Sequence, residues 1–118
     1  MTIRRMKTYT GGQGYVYQYY FVGKRAAVEA GPAATEYIFD VTSDRKSTYA
    51  VSVLIETAAS EAWTSVHGRA PTDAEQYGAA KIRLFQAFDE IEDMMAAGRL
   101  LRVGAVELEE AFRTLGVD

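Results

Sequence analysis

The chain has 118 residues, 48% of them hydrophobic and 25% charged, with a formal charge of −3, which fits one ordinary globular domain and excludes disordered and collagen-like classes. It has no cysteine and a single histidine, His67, which excludes disulfides, thiolate metal sites and multi-histidine centres, so no metal or cofactor is expected. No run approaches the roughly 20 apolar residues of a membrane helix. The charge is uneven: residues 1–46 hold seven basic and four acidic side chains, a net +3, and residues 47–118 hold six basic and twelve acidic, a net −6. Arg4, Arg5 and Lys7 near the amino terminus are not followed by an apolar stretch, unlike a secretory signal, and the expected location is cytoplasmic.

The first half alternates with the period of two that marks strands. Residues 3–10 form a first strand, joined through Gly11, Gly12, Gln13 and Gly14 to a second in which Tyr15, Tyr17, Tyr19 and Phe21 alternate with Val16, Gln18, Tyr20, Val22 and Lys24. After a loop at 27–34 that contains Gly31 and Pro32, Tyr37, Phe39 and Val41 share one face of a third strand and Glu36, Ile38, Asp40 and Thr42 the other. A polar turn at Ser43, Asp44, Arg45 and Lys46 leads into a fourth, with Tyr49, Val51, Val53 and Ile55 inward.

At Thr57 the period becomes helical. Ala58, Ala59, Ala62, Trp63 and Val66 mark a helix over 57–67 that Gly68 ends as a left-handed cap. Thr72 and Glu75 then have the spacing of a capping box, and the helix behind them is expected over 73–97, about 37 Å long, with a stripe of Tyr77, Leu84, Phe88, Ile91 and Met95. A last helix over 105–115 carries Val106, Leu108, Ala111, Phe112 and Leu115, with Glu107, Glu109 and Glu110 near its positive amino end. With no repeat or linker, the expectation is one α+β domain: an antiparallel meander of about four strands (2–56) followed by three helices (57–67, 73–97, 105–115) packed on one face.

Catalytic motifs are incomplete. The glycines at 11, 12 and 14 are followed by a strand and lack the lysine of a phosphate loop, so they read as a hairpin turn. Tyr77 and Lys81 have the i, i+4 spacing of a Tyr-x-x-x-Lys acid–base pair, but no nucleotide-binding loop accompanies them. Asp40, Thr42 and Asp44 begin like a calcium loop, yet Arg45 and Val51 stand where glycine and glutamate are needed. No catalytic residue is assigned, and the balance leans against an enzyme.

The unusual feature is aromatic. The strand from Tyr15 to Val22 is apolar on both faces, whereas one layer of helices covers only one. The expected function is therefore a binding or interaction module that self-associates, most simply as a homodimer, through Tyr15, Tyr17, Tyr19, Tyr20 and Val22 or through the overhanging long helix. Two alternatives stand beside it: a sheet face that binds single-stranded nucleic acid through Arg4, Arg5, Lys24 and Arg25 among the tyrosines, and a small-molecule or enzymatic pocket near Trp63, His67, Tyr77 and Lys81. A protein partner other than self fits the same surface, and no membrane partner is expected.

Overall fold

A computed structural model describes residues 6–27 and 31–118. The period-two segments form β1 (Lys7–Thr10), β2 (Val16–Ala27), β3 (Ala34–Thr42) and β4 (Tyr49–Glu56), an antiparallel meander in chain order. Residues 2–5 of the expected first strand lie outside the described residues. Tyr37, Phe39 and Val41 of β3 and Val51, Val53 and Ile55 of β4 point to one face, where they pack with Leu84 and Phe88 of α2 (Asp73–Glu90) and Leu108 and Phe112 of α4 (Ala105–Leu115) in a single core. Each large side chain so buried contributes roughly 1.5–3 kcal/mol. The α+β class and the single helical layer follow.

A fifth strand corrects the expectation that strands end near residue 56. β5 (Leu100–Val103) pairs parallel to β4, with Leu101 beside Val53 and Val103 beside Ile55. Parallel neighbours need a long crossover, which α1 (Thr57–His67), α2 and a short α3 (Met94–Ala97) supply. Arg83 of α2 donates its Nε to the Arg102 carbonyl at 3.1 Å, so a side chain occupies a carbonyl of this sheet edge.

The long helix is also corrected. α2 stops at Glu90, about 27 Å from its start at 1.5 Å per residue, because Ile91 takes an extended conformation (φ −97°, ψ 115°) and Asp93 starts α3 by accepting from the Ala96 amide at 3.1 Å. The break turns Met94 into the core, and the chain reverses at the buried Gly98, where a Cβ would lie 2.4 Å from the Met94 sulfur. No helical overhang remains as an interface. Along the predicted stripes, Val66, Met95, Val106 and Leu115 are exposed, not packed.

Two terminal signals act as their chemistry requires. Gly68 ends α1 at φ 78°, its amide donating to the Thr64 carbonyl. The Thr72 hydroxyl accepts from the Glu75 amide at 3.1 Å while the Glu75 carboxylate accepts from the Thr72 amide at 2.9 Å. Arg69 adds a two-pronged contact to Glu75 at 2.9 Å, and this guanidinium, with the Thr72 amide second, holds the Glu75 carboxyl down at about 2. Thr72→Ala should lower unfolding free energy by about 1 kcal/mol and leave helical content unchanged; denaturant melts followed by circular dichroism read both, and a change of only a few tenths contradicts the capping role.

Candidate functional site

The aromatic strand divides between two faces. Tyr17 and Tyr19 turn inward and are buried in the chain's own core, Tyr17 stacked on Phe88 with ring centroids 4.1 Å apart and Tyr19 edge-on to Phe85 and Phe39. They are thus unavailable to an interface, a correction with a simple cause: α2 brings its own aromatic row against this strand. Of the expected interface set, Tyr20 lies on the opposite, open face of the sheet, and Tyr15 and Val22 are exposed.

A β-bulge explains how the two sides are populated. Val22 is the extra residue where the β2–β3 register shifts between Phe21 and Gly23, so the inward phase passes from odd to even positions. Lys24 therefore stands opposite Tyr37 on the helical side and pairs with Asp73 of α2 at 3.2 Å. Arg25 stands opposite Glu36 on the open side and bonds it at 2.9 Å. Lys24 and Arg25 thus share no face, and Arg4 and Arg5 lie outside the described residues.

The expected pocket set separates as well. Trp63 and His67 stack at 4.3 Å between α1 and α4, where the His67 imidazole meets both Glu109 carboxylate oxygens at 3.1 Å. Tyr77 and Lys81 lie on α2 beside β2. The Lys81 ammonium sits over the Tyr77 ring, 5.6 Å from its centroid. Burial raises the Tyr77 phenol pKa, the opposite of an activated acid–base tyrosine. Burial, with Lys7 second, lowers that of Lys81.

The glycine loop does bind an anion, but one of the protein's own. Asp89 at the end of α2 accepts from the Gly12 amide at 2.8 Å and from the Tyr9 hydroxyl at 2.9 Å. Gly11 is required by close approach, since a Cβ there would lie 2.7 Å from the Phe88 carbonyl oxygen. Asp44 likewise serves its own turn, accepting from the Lys46 and Ser47 amides. Among the described residues no group of three or more histidine or acidic side chains is placed to hold a metal ion, and no helix is long and apolar enough to cross a membrane.

Two surfaces remain as candidate sites. The open sheet face carries Val16, Gln18 and Tyr20 from β2, Glu36, Ile38 and Asp40 from β3, Ala50, Ser52 and Leu54 from β4, and Leu100 and Arg102 from β5. Its middle sets buried Leu54 and half-buried Ile38 beside Glu36, which accepts from Arg25 and Ser52 and whose carboxyl is held below the usual range by Arg25 first. Its apolar side chains are most exposed toward the margins: Val16 at 44%, Val22 at 48% and Leu100 at 61%. Leu100 and Arg102 escaped the sequence reading because β5 did, although the alternation of Leu101 and Val103 with Leu100 and Arg102 was a signal. The second surface is a cleft of about 520 Å³ where the ends of β2 and β4 meet α3, lined by Tyr15, Tyr17, Ser43, Tyr49, Asp93 and Met95 among others.

No protein-family model, curated protein or solved structure matches this chain, so geometry alone carries the functional reading. One consequence of the cleft's packing is testable at once. Burial first, with Tyr17 and Asp93 nearby, pushes the Tyr49 phenol up to about 12. Above the ordinary tyrosine value near 10, the unfolded chain releases this proton while the folded chain keeps it, so stability present below pH 10 is lost as pH rises through about 12. Denaturant melts at about pH 9 and pH 11 should show this loss, smaller in Tyr49→Phe; an equal loss in that variant would assign it to other phenols.

Proposed function

We propose that this protein is an interaction module that pairs with a second copy of itself through the open face of its sheet. The observation that carries the reading is that, among the described residues, the helices all pack on the other face, while this one leaves Val16, Val22 and Leu100 largely in water. The five strands hold 4, 12, 9, 8 and 4 residues, which at about 3.3 Å per residue and about 4.8 Å between strands is on the order of 600 Å², somewhat under the roughly 800 Å² that each partner contributes to a standard interface.

Charge favours a like partner over a foreign one. The face bears acidic Glu36, Asp40 and Glu56 together with basic Arg25 and Arg102. A two-fold axis brings a patch of mixed sign against its own complement. A nucleic-acid partner would meet these carboxylates as well as the cations.

Sedimentation velocity over a dilution series should reveal a species of about twice the chain mass of 13.0 kDa. Val22→Asp and Leu100→Asp should each weaken association about tenfold, or about 1.4 kcal/mol, with the unfolding midpoint unchanged. A 13.0 kDa species at every concentration, indifferent to both substitutions, rejects self-association through this face.

A further inference from the structure

We propose that the cleft between the β2 and β4 ends and α3 binds an organic cation, an alkyl ammonium or guanidinium group held by Tyr15, Tyr17, Tyr49 and the Asp93 carboxylate. The site is on the helical side of the sheet, so it neither depends on the dimer nor competes with it.

The lining has the chemistry of a cation receptor. Three tyrosines, Ser43, Met94 and Met95 and the carboxylates Glu92 and Asp93 surround a space of about 520 Å³, and no basic side chain lines it. Aromatic rings attract cations over their faces, and carboxylates add charge-assisted hydrogen bonds. Arg99 stands beside the cleft, its guanidinium 6.0 Å from the Tyr49 ring. Its Nε is committed to the Ala50 carbonyl at 3.0 Å, which ties it to β4.

Tyr17, 2% exposed, lines the cleft from its inner wall. Its ring is pinned by the stack on Phe88, so the hydroxyl is fixed in place. Tyr15, Tyr17, Tyr49 and Asp93 line the one cleft, and after burial, Tyr15 and Asp93 raise the Tyr17 phenol while Tyr17 and Asp93 raise that of Tyr49. An ammonium or guanidinium donates several N–H bonds and accepts none, which suits a cleft lined by phenol oxygens and carboxylates.

Proton–nitrogen correlation spectra of the full chain, titrated with n-butylammonium, n-butylguanidinium and neutral n-pentanol, test the site. Saturable shifts at the amides of Tyr15, Tyr17, Ser43 and Asp93 are expected with the two cations, with pentanol at least about tenfold weaker. Asp93→Asn keeps a helix cap at α3 and should weaken cation binding at least about fivefold; Tyr17→Phe, which keeps the stack, should weaken it by a smaller factor. A Gly-Lys-Gly or Gly-Arg-Gly peptide binding well above the free amine would identify a basic side chain as the natural occupant, and equal affinity a small free amine; either supports a cation site. Absence of saturable shifts with both cations, equal binding of pentanol, or unchanged affinity in Asp93→Asn in a protein whose spectrum stays folded overturns it.

Discussion

The structure depends on an aromatic seam between β2 and α2. Tyr9 and Phe85 stack at 4.4 Å, Tyr17 and Phe88 at 4.1 Å, and Phe21 meets Tyr77 edge-on at 4.8 Å, so inward aromatic residues of β2 and of its neighbour β1 dock on three turns of one helix. Offset and edge geometries add about 0.5–1.5 kcal/mol per pair beyond the area they bury. The seam fixes the helix along the strand, and that placement decides which tyrosines are interior. It also sets Asp89 under the Gly11–Gly14 hairpin and brings Met94 and Asp93 to the end of β4.

Much of this was readable from residue patterns, and the failures have physical causes. The alternation of Tyr37, Phe39 and Val41 and of Val51, Val53 and Ile55 identified the central strands, because a one-residue slip would expose every one of them. Thr72 and Glu75 located a helix start because a capping box is a local pattern. β5 was missed since four residues hold barely two periods, and its stability comes from pairing with β4, 48 positions away in the chain. The helix break at Ile91 was missed for a related reason: Met94 and Met95 continue a helical stripe in sequence, and only the core decides that Met94 must turn inward.

The candidate sites were less legible than the fold. Aromatic content on both faces of the Tyr15–Val22 segment pointed to a sheet whose helices, among the described residues, pack on one side, but Tyr17 and Tyr19 belong to that side. Lys24 and Arg25, as neighbours in a strand, point to opposite faces, and the bulge at Val22 decides that Lys24 is the inward one; a single inserted residue of this kind leaves no mark in composition. The cleft joins Ser43, Tyr49 and Asp93 from three separate segments, a juxtaposition that exists only once the chain has folded.

The late position of β5 shapes how the molecule is made. The meander needs only neighbouring segments and closes small loops, so it can form early. β4, however, carries the unbroken apolar run Val53, Leu54 and Ile55, and its outer edge stays unpaired until residues 100–103 have been synthesised and carried back across three helices. During that interval the nascent chain presents a bare strand edge of the kind that recruits other strands. Pairing of β5 with β4 is what closes that edge, so the last strand protects the sheet as well as extending it.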